Sequence, residues 1–187
     1  YISGINTASA TIAGLESSSS LANRAKVFSG SIGTTVQWGS DSNAPGTVGT
    51  VQRSLTIDTA SGSDYTFYGE VMGNINLVKS GEGTQTFAGN SGAFNGSIEI
   101  LEGTLAFSGD ALNMLGSASS VAVNGGTLDV SSVDFSNGAI AVNNLTFTDD
   151  SVLALGNLQA DTVYNFFNNS SGTLENWVDL VSPKFRI

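Results

Sequence analysis

Two acidic segments of the chain could do chemistry: Leu55-Thr56-Ile57-Asp58-Thr59-Ala60-Ser61-Gly62 and Asp149-Asp150-Ser151, the latter holding the only adjacent acidic pair. Two carboxylates close enough to share one proton can divide a hydrolysis between them, one activating water while the other donates to the carbonyl. That mechanism needs no histidine, cysteine or metal, and the chain has neither histidine nor cysteine. Their absence removes thiol nucleophiles, disulfide frameworks, Cys/His zinc sites and every mechanism built on an imidazole base. The catalytic candidates are therefore Asp58, Asp149 and Asp150, with no cofactor and no metal expected.

The segment around Asp58 resembles the Asp-Thr-Gly-Ser signature of aspartic proteases, which is likewise preceded by apolar residues. Ala60 stands where that family has glycine, and no second Asp-Thr-Gly occurs. The partner carboxylate would have to come from Asp149 or Asp150, or from Asp58 of a second copy. The competing reading is a turn following a strand over 54–58, for which Asp, Ser and Gly are the expected residues. Adjacent strand residues face opposite ways, so Asp149 and Asp150 diverge unless they lie in a turn. A turn there could offer oxygens to Ca²⁺, but no acidic loop with a distal bidentate glutamate is present.

Other segments offer less. Asp41-Ser42-Asn43-Ala44-Pro45-Gly46 begins like a calcium loop and lacks the rest of one. Gly81-Glu82-Gly83 is followed by no Walker lysine and no helix, so it is not a phosphate cradle. Arg24, Lys26, Arg53 and Lys79 are too scattered to nominate a polysaccharide lyase base. Trp38, Tyr65, Phe67 and Tyr68 could stack on sugars if exposed, though strand aromatics more commonly pack in the core.

Charge narrows the partners. Sixteen acidic residues against six basic ones give a formal net charge of -10 over 187 residues. A row of phosphates cannot be neutralised by so few cations, so no nucleic-acid partner is expected. Anionic membrane surfaces are disfavoured for the same reason, and no apolar run approaches membrane-spanning length. The chain starts at Tyr1 without an initiator methionine, which points to a processed or engineered fragment with any signal peptide upstream. Abundant Ser, Thr, Asn and Gly with few lysines suit a bacterial secreted or cell-surface protein.

Positioning of any site falls to short strands. Period-two alternation recurs at Ser9–Ile12, Thr35–Trp38, Ser54–Asp58, Tyr65–Tyr68, Thr84–Phe87, Ser97–Leu101, Thr104–Phe107, Val121–Asn124, Thr127–Val130, Ala139–Asn143, Leu145–Phe147 and Val152–Leu155, mostly between turn residues. Only Asp110–Leu115 reads as a helix or irregular turn. Three phrases align: Ile98 to Phe107, Val121 to Val130 and Ile140 to Phe147, with Leu105, Leu128 and Leu145 as equivalents. Ile98, Ile100, Leu105 and Phe107 then point inward, and Glu99 and Glu102 face solvent. Gly103, Gly126 and Asn144 fall at a corner that needs a left-handed backbone. One coil cannot bury its apolar face, whereas coils stacked about 4.8 Å apart can. At roughly 20 residues per coil, eight or nine coils and about 40 Å of rod are expected.

Residues 68–107 resemble the autotransporter-associated β-strand repeat of bacterial passenger regions. The lead-in is Tyr68 to Asn76, followed by Leu77-Val78-Lys79-Ser80-Gly81-Glu82-Gly83-Thr84, a Gly89-Asn90 turn, and the closing Ile98-Glu99-Ile100-Leu101-Glu102-Gly103-Thr104-Leu105. The match is partial over 119–155, and the usual aromatic-Thr-Gly-Gly turn appears as Ala93-Phe94-Asn95-Gly96. The resemblance implies an all-β, right-handed parallel β-helix outside the cell or on the bacterial outer surface. It also implies a division into a β-solenoid over 1–160 and a C-terminal cap or passenger end over 161–187. The expected role is structural or adhesive, towards an extracellular protein, glycoprotein or polysaccharide. The alternatives are a secreted aspartic-type protease acting through Asp58 and a second carboxylate, and a carbohydrate-binding or carbohydrate-cleaving module. The tail with Phe166, Phe167, Trp177 and Phe185 either caps an open sheet end or pairs with a second copy as a homodimer.

Overall fold

The computed structural model describes residues 9–21, 25–28, 52–132, 140–148, 150–155 and 167–169. Strands and turns alternate along these residues because apolar side chains recur at every second position and glycine, asparagine or aspartate interrupts them. The result is a set of parallel sheets stacked as a β-solenoid of about four turns, with one short helix. The strand expected at Thr35–Trp38 and the C-terminal tail beyond residue 169 lie outside the described residues.

The first sheet has six parallel strands in the order β1 (Ser9–Ile12), β3 (Arg53–Asp58), β6 (Ile75–Ser80), β8 (Ser97–Ile100), β10 (Ser120–Val123) and β13 (Leu145–Phe147). Their register puts Leu55, Leu77, Ile98, Val121 and Leu145 in one inward column. The second sheet stacks β4 (Asp64–Phe67), β7 (Thr84–Phe87), β9 (Thr104–Phe107), β11 (Thr127–Asp129) and β14 (Val152–Ala154). Here Phe67, Phe87 and Phe107 share a column, with ring centroids 6.3 Å and 6.0 Å apart at successive steps. Each side chain in these columns is almost fully buried, and burial of one such group is worth about 1.5–3 kcal/mol.

A third face closes each turn and is less regular. At one end β2 (Lys26–Phe28) pairs with β5 (Glu70–Met72), and at the other β12 (Ile140–Val142) pairs with β15 (Phe167–Asn169). Between them Phe94 bridges to Gly73, and a 3₁₀ turn at Gly109–Leu112 leads into α1 (Asn113–Ser117). Ala111, Met114 and Leu115 bury there, which is why apolar residues cluster in the segment expected to be helical or irregular.

The inward residues Ile98, Ile100, Leu105 and Phe107 are buried as the alternation requires. Glu102 is exposed, and Glu99 is half-buried because its Oε1 accepts from Asn124 Nδ2 at 2.9 Å. Two expectations are corrected. Leu145 is not the equivalent of Leu128: it pairs with Val121, while Leu128 pairs with Leu105 on one side and Leu153 on the other. The true leucine steps, 105 to 128 to 153, are therefore more even than the misaligned ones. The turn count is also smaller among the described residues, because register partners lie 20 to 27 residues apart from β3 onward and Ser9 to Ser54 spans 45.

Candidate functional site

The corner joining the first sheet to the second collects the residues with chemical potential. It contains Asp58 to Ser63 at the first regular level, then Ser80 to Gly83, Leu101 to Gly103, Asn124 to Gly126, and finally Thr148, Asp150 and Ser151. Backbone hydrogen bonds carry the ladder round the bend: Thr59 N–H donates to Ser80 O, Gly83 N–H to Thr59 O, Thr104 N–H to Gly83 O, and Val152 N–H to Gly126 O, at 2.9–3.1 Å. Corners packed this closely leave little room for side chains. A Cβ on Gly103 would lie 2.2 Å from Gly81 O, and one on Gly81 would lie 2.6 Å from Asp58 Oδ1.

The bend also needs left-handed backbone. Gly62, Gly81 and Gly103 have φ of 75°, 69° and 64°, and Gly125 rather than Gly126 takes this role in the next turn, at 112°. In the last turn Asp150 supplies it, with φ 61°. Asn144 is left-handed as expected, φ 46°, but it precedes β13 at a different bend. Aspartate and asparagine are the non-glycine residues that adopt this conformation at least cost.

Asp58 ends β3 and is exposed, and the residues after it form the turn into β4, with Ser63 N–H donating to Ala60 O at 3.0 Å. Asp150 is exposed at the corner four strand steps further along the stack. At the parallel-strand spacing that separates the two backbones by ~19 Å, far beyond the reach of a shared proton. Asp149 lies outside the described residues. Thr59, next to Asp58, is fully buried, and its Oγ1 has no hydrogen-bond partner.

What Asp58 does approach is Lys79. Lys79 points inward, in register with Ile57 on β3 and Ile100 on β8, and is as buried as they are. Its stem fills the isoleucine column, and its ammonium reaches the corner, donating to Ser80 O at 2.6 Å, Gly81 O at 2.6 Å and Glu102 O at 3.3 Å. Three donors meet three carbonyls from two successive turns. Burial lowers the Lys79 pKa from the ordinary 10.5, and the nearby Asp58 and Glu102 carboxylates work against that shift. The arrangement neutralises and staples a corner. A lysine enclosed in this way cannot reach a substrate.

A second interior polar residue, Gln85, shares its inward column with Leu105. Its Oε1 accepts from Leu15 N–H at 2.8 Å and its Nε2 donates to Leu15 O at 3.0 Å. Neither Lys79 nor Gln85 stood out as functional by motif. The available signal was parity, since Lys79 falls on the same strand face as Leu77 and Gln85 on the same face as Phe87.

The sugar-stacking candidates divide. Phe67 is buried in the phenylalanine column, and Tyr65 lies against Gly14, whose Cβ would fall 2.3 Å from the tyrosine ring. Tyr68 is half-buried, and Trp38 lies outside the described residues. Among the described residues no group of three or more acidic side chains could hold a metal ion, and no helix is long and apolar enough to cross a membrane. No family model, curated protein or solved structure matches the chain, which stands as a parallel β-solenoid of about four turns with no family identified.

Proposed function

We propose that the chain is a surface-displayed or secreted bacterial β-solenoid segment, structural or adhesive towards extracellular proteins, glycoproteins or polysaccharides. The observation that carries this reading is the use made of the chemically capable residues. Lys79 is enclosed by corner carbonyls, Asp150 serves a left-handed bend, and Asp58 and Asp150 are four strand steps apart. Residues of this kind hold a repeating scaffold together, and they do not converge on one point as a catalytic group must. Support for the location comes from the likeness of residues 68–107 to autotransporter passenger repeats, together with the acidic, lysine-poor composition. A fold of this type hosts many activities, so the reading rests on these residues and not on the architecture alone.

The test combines binding and hydrolysis. Purified chain is presented to immobilised extracellular-matrix glycoproteins, and in parallel incubated with denatured casein from about pH 3 to pH 8, a range that spans carboxylate titration. The expected result is saturable binding that Asp58→Asn and Asp150→Asn leave intact, with no cleavage. Cleavage that disappears in Asp58→Asn would establish the aspartic-type protease instead.

A further inference from the structure

The corner between the two sheets uses a left-handed glycine at four successive levels: Gly62, Gly81, Gly103 and Gly125. Serine precedes the first two and glutamate the third, but asparagine precedes Gly125. At this corner, among the described residues, only that level sets a side-chain amide beside the backbone nitrogen of a glycine. A glycine nitrogen can close on the asparagine Cγ because no Cβ obstructs the ring that forms. The surroundings favour the attack. Asn124 Nδ2 donates to Glu99 Oε1 at 2.9 Å, and Asn124 Oδ1 accepts from Thr148 Oγ1 at 3.4 Å. The amide is thus held with a donor on the oxygen where negative charge gathers. Gly125 N–H donates to Ser151 Oγ at 3.1 Å, an acceptor lying on the path of the proton that must leave.

The chain has two other Asn-Gly pairs, and Asn137-Gly138 lies outside the described residues. At Asn95-Gly96 the glycine is buried, and a Cβ on it would run into the backbone of Ile75. Its carbonyl accepts from Ser119 N–H at 2.8 Å and from Ser119 Oγ at 3.0 Å, which wedges it between two levels. Gly125 is exposed, and a Cβ on it would meet only Leu101 O, at 3.0 Å. We propose that Asn124-Gly125 is a self-modification site, at which the asparagine deamidates in the folded protein and opens the corner with age. Gly125 N attacks Asn124 Cγ, the Cγ–Nδ2 bond breaks, and ammonia leaves with the proton that Gly125 N gave up. Water then opens the succinimide at either carbonyl, leaving aspartate or isoaspartate at position 124. Either product replaces the donor beside Glu99 with a second carboxylate. Isoaspartate also lengthens the backbone where Asn124 N–H donates to Ile100 O at 2.7 Å.

Full-length folded chain is held at mildly alkaline pH, sampled over days, digested and read by mass spectrometry, and the same incubation in urea gives the unfolded rates. Dividing each folded rate by its own rate in urea removes the intrinsic reactivity of each pair. That quotient should be about ten-fold larger at Asn124 than at Asn95, since only Asn95-Gly96 is wedged by the fold. Equal quotients, or no conversion at Asn124 in the folded chain, overturn the proposal. Ser151→Ala removes the acceptor of the Gly125 N–H and should slow conversion at Asn124 while leaving Asn95 unchanged. An equal or faster Asn124 rate in that variant overturns the role given to Ser151. Asn124→Asp carries the charge of one product and should unfold at lower urea than wild type, and an unchanged midpoint overturns the opening of the corner.

Discussion

The ammonium of Lys79 lies 2.6 Å from the carbonyl oxygen of Gly81, inside a column whose neighbouring members are Ile57 and Ile100. A cation occupies an isoleucine position because its stem packs like one and its head reaches three corner carbonyls, those of Ser80, Gly81 and Glu102. This relationship explains why a lysine and two glycines sit together at residues 79–83. The lysine ties the corner, and the glycines let the turns approach.

Stability should depend on pH through Lys79. Burial lowers its folded pKa below the ordinary 10.5, so between those two values the unfolded chain binds more protons than the folded one. The Lys79 contribution to folding stability therefore rises with pH across that window and levels off above 10.5. Denaturant unfolding of wild type and Lys79→Met over the same pH range isolates the effect. The wild-type-minus-variant difference should shift towards wild type as pH rises, and a flat difference counts against a desolvated ammonium.

Glycines of similar φ should differ sharply in tolerance. At Gly62, with φ 75°, a Cβ would have nothing within 4 Å, whereas at Gly103, with φ 64°, it would meet Gly81 O at 2.2 Å. Gly62→Ala should cost about 1–2 kcal/mol, the left-handed penalty alone. Gly103→Ala adds a backbone clash and should cost at least ~3 kcal/mol. Equal losses in urea unfolding would mean the corners do not stack as described.

Thr59→Val should stabilise the protein by roughly 1 kcal/mol, because it replaces a buried hydroxyl that lacks a partner with a methyl of the same shape. Thermal unfolding reads the change as a rise in Tm. The same substitution would be harmful if Thr59 belonged to a working protease loop, so a lower Tm or a lost activity would argue for that role.

Much of this was legible in the sequence, and the exceptions have physical causes. Alternation at Ile98, Ile100, Leu105 and Phe107 identifies the buried columns, because a period of two has only two faces to choose between. The three-residue strands β2, β5 and β15 are too short for alternation to register, and they form through pairing on the third face. Ile140 to Phe147 copies the wording of Val121 to Leu128, yet Leu145 opens a new turn, since Asn144 bends the chain before it and not between the two sheets. Lys79 and Gln85 were hidden by residue type: their parity is interior, but a lysine or glutamine becomes an interior residue only when backbone carbonyls and amides are placed to receive it.

The central claim is a continuous parallel stack in which Asp58 and Asp150 occupy one corner line four strands apart. Because the chain has no cysteine, Asp58→Cys/Asp150→Cys can carry two nitroxide labels without further changes. Pulsed dipolar spectroscopy should give a narrow distribution centred near ~20 Å, set by four strand spacings and the reach of the labels. Strong coupling at a separation under about 10 Å, as two carboxylates facing across one cleft would require, would contradict the stack and restore the paired-carboxylate site.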